Sequence, residues 1–240
     1  MLGFSSVMIA PLIIFAVVAV LIIVLSIRAA RRRQALVQSW ADAHGCLYVQ
    51  SNNAIVRYLK GPPFTGGWNA QVREFVKGQT RNGRVFCSFL YTYEESTGTD
   101  SQGHSQTTTI NRAIVIVRLP AAFPGLRLTN ESLLDKVSKF FGGQDIELES
   151  DDFNRRYRVT SDNEAFAYGV LHPRMMEWLM GPASGLAPLM IQGADMFCWR
   201  EGIPDYNTLD AQLGAMDAFA GMFPQGVYEQ FGMAPAPAYW

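Results

Sequence analysis

The residues best suited to chemistry in this 240-residue chain are His44, His104, His172, Cys46, Cys87 and Cys198. A metal site needs convergent ligands, at least two of them at short spacing. Only His44 and Cys46 are that close, and they need two distant partners, so His44 reads as a helix-end histidine. His104 falls in a polar stretch. His172-Pro173 sits at a helix junction, where capping is the simpler reading. Cys87 is a nucleophile only with a base beside it, and among aromatic strand residues it reads as packing. The acidic series Asp145, Glu147, Glu149, Asp151 and Asp152 lacks the spaced ligands and central glycine of a calcium loop. Carboxylates alternating on the exposed face of a strand, with Arg155 and Arg156 to neutralise them, account for it. GPASG (residues 181–185) fails the nucleophile-elbow spacing because Ser184 directly precedes Gly185. Gly66-Gly67 and Gly142-Gly143 match no phosphate-loop pattern. The expectation is no catalytic set, no metal, no cofactor and no enzyme. Phe64, Trp68, Tyr91 and Tyr93 are candidates for lining an apolar pocket, although aromatics on strands more often build core.

The stretch with the largest physical consequence is VMIAPLIIFAVVAVLIIVL, residues 7–25. No charged side chain occurs in residues 1–27, after which Arg28, Arg31, Arg32 and Arg33 follow. One helix of about 20 apolar residues crosses a hydrocarbon core of roughly 30 Å. A cleaved signal peptide carries its positive charge before a shorter apolar core and ends in a small-residue site. Here no Lys or Arg precedes the run, and arginines flank the poor site at residues 26–30. The run reads as an uncleaved, single-pass anchor in contact with the lipid bilayer through residues 7–27. The four arginines form a membrane collar expected on the cytoplasmic side of the cell membrane. That places the N-terminus outside and the domain inside.

Setting the four collar arginines aside leaves 16 of the 20 basic groups against all 21 acidic ones in residues 34–240, a net of −5. This balance lacks the basic footprint of a nucleic-acid binder. Nor does it draw the domain flat onto an anionic leaflet, apart from its collar. Three widely spaced cysteines, an odd number, read as free buried thiols, in agreement with a reducing cytoplasm. The part beyond the anchor is long enough for one substantial core or two small ones.

The expected class is α+β: one N-terminal transmembrane helix, then a soluble domain of antiparallel β-sheet packed with helices, ending in a long C-terminal helix. The anchor (1–27) leads into the collar and an amphipathic juxtamembrane helix (28–45) carrying Leu36, Trp40 and Ala43, with Gly45 as its stop. The α+β domain covers 46–232, with a possible sub-boundary near 120–130, and 233–240 reads as a flexible tail. Residues 46–50 read as a strand, and 55–59 as a strand or one helical turn. Residues 70–79 and 85–93 form a hairpin about Asn82-Gly83, preferred residues for a type I′ turn. In its second strand Val85, Cys87, Phe89, Tyr91 and Tyr93 share one face. Residues 94–107 read as a mobile polar loop. Residues 110–119 read as a strand covered on both faces, and 120–125 as a turn. A helix is expected through residue 141, a strand pair at 145–149 and 157–160, and a helix capped by Ser161 or Asp162. Another helix starts at Pro173. A hairpin is expected from 188–192 and 196–200. The last long helix starts at Asn207 or Thr208, and Leu209, Leu213, Met216, Phe219 and Phe223 lie on one of its faces.

Three stretches, WADAHG (40–45), IELESDDFNRRYRVTSDNEAFAYGVLHPRMMEWL (146–179) and FPQGVY (223–228), carry a resemblance. The chain resembles a family of actinobacterial-type, single-pass membrane-anchored proteins known as a domain of unknown function. The resemblance implies a cytoplasmic α+β domain on one helix and supplies no activity or site residues. The functional expectation is a protein-binding or accessory module at the membrane, with a protein partner at its cytoplasmic face. The alternatives are a membrane-tethered sensor of a small molecule or lipid, and a membrane-bound hydrolase with a site assembled from distant residues.

Overall fold

One strand organises the sheet. The computed structural model describes residues 4–61, 63–64, 66–99, 105–130, 144–181 and 184–240. In it, β4 (Ser105–Asn130) is 26 residues long and paired along both edges. One edge carries β7 (Leu189–Glu201), from Arg112 opposite Glu201 to Leu128 opposite Leu189. The other carries β3 (Val85–Thr99) along its first half and β6 (Tyr157–Ser161) along its second. Beyond β3 lie β2 (Trp68–Gln79) and β1 (Leu47–Ser51); beyond β6 lies β5 (Gln144–Ile146). All pairs are antiparallel. The α+β architecture with a leading apolar helix is as the sequence implies.

The reason β4 sits at the centre is its double face. Ile114 and Ile116 enter one core, while Val115, Val117 and Leu119 enter another on the opposite side. The expected turn at 120–125 is instead a bend within β4. Register shifts flank Phe123, which pairs with Gly193 of β7. Gly193, at φ 59°, supplies the left-handed residue that a reversal uses, but here it stays within β7, opposite the extra residues that bulge β4 on either side of Phe123. The expected hairpin of 188–192 and 196–200 is therefore one bent strand.

Other boundaries move for local reasons. The β2–β3 loop has only Gly83 at positive φ, with the Gly83 N–H donating to the Thr80 carbonyl. It is thus a three-residue loop ending in a left-handed glycine rather than a type I′ turn. Residues 100–104 of the stretch expected to be a polar loop lie outside the described residues, and the rest continues the ladder: Glu95 faces Thr108, Ser96 faces Thr107 and Thr99 faces Ser105. Threonine favours strands, and cross-strand hydroxyl pairs support them. The strand expected over 145–149 ends at Ile146, so the acidic run is split between β5, an irregular link holding Glu147 and Glu149, and a helix, α2 (Asp151–Arg156), that Ser150 caps. Its carboxylates sit in the first turn and Arg155 and Arg156 in the last, as the helix dipole prefers.

The long helix α1 (Phe4–Ala43) precedes the sheet. α3 (Glu164–Val170) is capped by Asn163, which accepts from the Phe166 N–H; Ser161 instead donates to the Gly125 carbonyl. α4 (Pro173–Met180) is capped by His172, as expected. α5 (Leu209–Gly221) buries Leu209, Leu213, Met216 and Phe219, and the short α6 (Gln225–Phe231) follows it. The helix expected through residue 141 lies outside the described residues.

The helices cover one face of the sheet. The other holds a second core of Val72, Cys87, Phe89, Ile114, Ile116 and Phe197, covered by the 3-10 turn Asn53–Tyr58 with Phe64 and by the tail. That tail, expected to be flexible, is held. Met233 bridges to Ala122, Arg118 donates to the Ala236 carbonyl, and Tyr239 stacks on Tyr58 at 5.3 Å. Trp240 is only 8% exposed, with Lys77 donating to its carbonyl. Truncating a buried Trp costs about 3–5 kcal/mol. Trp240→Ala is therefore expected to lower the stability of the domain by about 3 kcal/mol in urea unfolding; a change near zero shows a tail that does not pack.

Candidate functional site at the helix–domain joint

Nothing interrupts α1 between the apolar run and the domain. It is the one helix among the described residues long and apolar enough to cross a membrane, and its apolar side chains from Ile13 to Ile27 project outside the fold. Arg28, Arg31 and Arg32 are exposed, as a collar requires. Arg33 is not a collar residue. It turns inward, and from there α1 is packed: Val37 and Ala41, four apart and so on one face, are fully buried.

Arg33 is the upper clamp of the joint. Its Nε and Nη2 donate to Glu74 Oε1 at 2.9 Å and Oε2 at 2.8 Å, and Nη2 also donates to the Pro204 carbonyl. The guanidinium lies 5.4 Å from the centre of the Tyr206 ring, and the Tyr206 hydroxyl donates to the Glu74 carbonyl at 3.2 Å. The Glu74 hydrogen bond holds Arg33 above its ordinary pKa, against the opposing effect of burial. Glu74 reaches Arg33 because β2 is bulged between Arg73 and Val76, with Glu74 itself at φ 50°. A left-handed non-glycine residue costs about 1 kcal/mol or more and persists where its surroundings determine it. Here the bulge re-aims the carboxylate from the sheet toward the helix.

The lower end of the joint holds the groups that resemble chemistry. The Trp40 and His44 rings stack at 4.1 Å, and Trp40 also meets Tyr206 at 5.5 Å. His44 Nδ1 lies 2.7 Å from the Trp40 carbonyl and Nε2 lies 3.1 Å from Asp210 Oδ2. A carbonyl on one nitrogen and a carboxylate on the other engage the imidazole in capping α1 and joining it to α5. Cys46 Sγ points at the His44 carbonyl, 3.6 Å away, and burial, with Asp210 nearby, pushes its thiol pKa up. The thiolate that nucleophilic or metal chemistry needs is thus disfavoured. These residues share a cavity of about 210 Å³ with Gln79, Thr80 and Asp217. Asp217, 3% exposed, pairs with Arg84 at 2.9 Å.

A larger cavity of about 430 Å³ lies between β7 and α5, lined by Leu186, Arg200, Thr208, Ala211, Gln212 and Ala215. Arg200 Nη2 donates to Thr208 Oγ1 at 3.3 Å and Gln212 Oε1 at 3.1 Å. The i, i+4 spacing of Thr208 and Gln212 was the only trace of it in the sequence.

The four aromatic pocket candidates separate. Phe64, Tyr91 and Tyr93 are buried and pack ring against ring at 5.1 and 5.6 Å. Burial pushes the Tyr93 phenol up to about 12, against the nearby Arg112 guanidinium. Trp68 stands apart, 50% exposed. Cys87 and Cys198 are buried, and desolvation pushes both thiols up. Among the described residues no three His, Cys, Asp or Glu side chains are grouped to hold a metal. His104 lies outside the described residues, and His172 Nε2 meets the Met222 carbonyl at 3.2 Å.

No family model and no curated protein matches the chain. A solved structure does. The chain is similar to the mycobacterial trehalose monomycolate transport factor A, TtfA, with a TM-score of 0.55 and 14% identity over 84% of this chain and 96% of that one. At that identity the likeness shows a shared fold.

Two outcomes test the joint. Glu74→Gly keeps the bulge and loses the carboxylate, whereas Glu74→Ala loses the carboxylate and keeps the strain. The glycine variant should be the more stable by about 1 kcal/mol, and equal stabilities show that the φ of residue 74 carries no strain. The second outcome is a pH dependence. Tyr93 and Tyr206 have phenol pKa values raised by burial above the ordinary 10.0. Their contribution to stability is full below pH 10 and is lost as pH rises through the folded values, about 12 for Tyr93. Urea midpoints should therefore fall as pH is raised above about 10, with Tyr206→Phe flattening the fall.

Proposed function

We propose that the chain is a membrane-anchored accessory module whose domain lies on the cytoplasmic face and binds a protein partner held in or at the same membrane. The observation that carries this reading is the unbroken α1, clamped by Arg33 and Glu74 as it enters the domain. A diffusing substrate reaches a loosely tethered domain as well as a fixed one. A partner confined to the same bilayer is served by a domain held at a set height and angle. The exposed Arg28, Arg31 and Arg32 support the cytoplasmic placement. The three free thiols agree with it. The likeness to TtfA, a protein named for transport of trehalose monomycolate, supports the narrower form: an accessory to a lipid-transport step, in an actinobacterial-type family. The disfavoured Cys46 thiolate and the capped His44 favour a non-enzymatic role.

The 430 Å³ cavity beside Arg200 favours a second reading, a sensor that binds a small molecule or lipid between β7 and α5.

The test is in cells, with a photo-crosslinking residue at Leu47 on the exposed edge strand β1 and a tag after Trp240. The expected result is a tag protected from external protease and a discrete adduct with a membrane protein, lost in Arg33→Ala. Digestion of the tag from outside overturns the placement. An adduct unchanged by Arg33→Ala overturns the fixed pose.

A further inference from the structure

The joint fixes which way the sheet points. At its upper end α1 meets β2 through Arg33 and Glu74; at its lower end Trp40 and His44 share a cavity with Gln79 and Thr80. From residue 33 to 44 the helix descends about 16 Å at 1.5 Å per residue. From residue 74 to 79 the strand descends about 16 Å at 3.3 Å per residue. Helix and strand therefore run nearly parallel, and both lead away from the membrane.

β3 is antiparallel to β2, so it climbs back toward the span. Its register places Leu90 opposite Arg73 and Glu94 opposite Trp68, and it then continues past the start of β2, paired only with β4, to Thr99. From Leu90 to Ser96 this arm rises about 20 Å. From Arg33 the helix needs only about 9 Å to bring Ile27 to the polar edge of the hydrocarbon. Standing parallel to α1 the arm would pass the polar edge by about 11 Å, so this polar arm has to lean away from α1 and lie along the headgroup layer, which adds roughly 5–8 Å outside the hydrocarbon on each side.

The chemistry of the arm suits that layer. Beyond Glu95, its described strands carry Ser96, Thr97, Gly98, Ser105, Gln106 and Thr107, uncharged residues with hydroxyl and amide groups that donate to phosphate and ester oxygens. At its base Trp68 is 50% exposed, a residue type enriched at membrane interfaces. Ile203 is 58% exposed in the loop whose Pro204 carbonyl receives Arg33. Arg28, Arg31 and Arg32 stand exposed on the helix between the domain and the span. We propose that the domain is seated on the phospholipid headgroup layer through the β3–β4 arm and Trp68, a membrane contact additional to the span. This rests on α1 crossing the bilayer, and neither on which side the domain lies nor on any protein partner.

The experiment uses the full chain in phosphatidylcholine vesicles, with and without phosphatidylglycerol. A nitroxide is attached at Thr97→Cys or, as the control at the opposite end of β3, at Asn82→Cys. Both carry Cys46→Ser, because Cys87 and Cys198 are buried. With a water-soluble nickel chelate on both sides of the membrane, the label at 97 should lose collisions with the chelate and gain collisions with oxygen relative to the label at 82. Trp68→Ala should reduce the difference. Equal accessibility at the two positions in both vesicle types overturns the proposal. So does a label at 97 that becomes shielded only when native membrane proteins are added, which gives the surface to a protein.

Discussion

The ion pair between Arg33 and Glu74 is the contact on which the joint depends. Exposed pairs contribute about 0–1 kcal/mol, and this one, with its partners 24% and 16% exposed, stands between surface and interior. Its importance is positional. It joins residues 41 apart in sequence, requires a strained bulge in β2, and draws the Pro204 carbonyl and the Tyr206 ring onto the same guanidinium. Below it Val37 and Ala41 fill the core, and His44 closes the helix against α5. A helix that would otherwise leave the membrane as a free rod becomes part of the domain.

The sheet carries that constraint outward. Because β4 pairs with β3, β6 and β7 in turn, the ends of the domain share one backbone strand. The Phe123–Gly193 pair holds β4 and β7 together between two register shifts, so the two strands bend together. The two cores on either side of β4 differ in cover. Helices close one; the second is closed by irregular chain, including the strap that ends in Tyr239 and Trp240.

What was legible in the sequence was what local pattern determines. The apolar run and its arginines gave the span. Alternation in β3 sorted Cys87, Phe89, Tyr91 and Tyr93 from Phe86, and the apolar series from Ala113 to Val117 marked a strand buried on both faces. Punctuation misled. The Pro-Gly run at 120–125 and the glycine at 193 are reversal signals, and only the register of two distant strands turns them into a shared bend. Proline and alanine in the tail read as flexible, although its final aromatic pair packs into the sheet. The joint was illegible for a stronger reason. Arg33 looks like its three neighbours until β2 brings Glu74 opposite it, and neither composition nor spacing encodes a bulge. The aromatic candidates were judged by type alone, which separates Trp68 from Phe64 no better than it separates surface from core.

The unbroken α1 turns sequence length into angle. An α-helix advances about 100° and 1.5 Å per residue. One residue added between Ile27 and Arg33 would therefore leave the domain at nearly the same depth but swing it more than a quarter turn about the span. The surface carrying Trp68 and the arm would then sweep round to a different sector of the membrane. The residues at 28–32 act as a key cut to a phase: their side chains are exchangeable while the segment stays helical and keeps its basic charge, but their number is not.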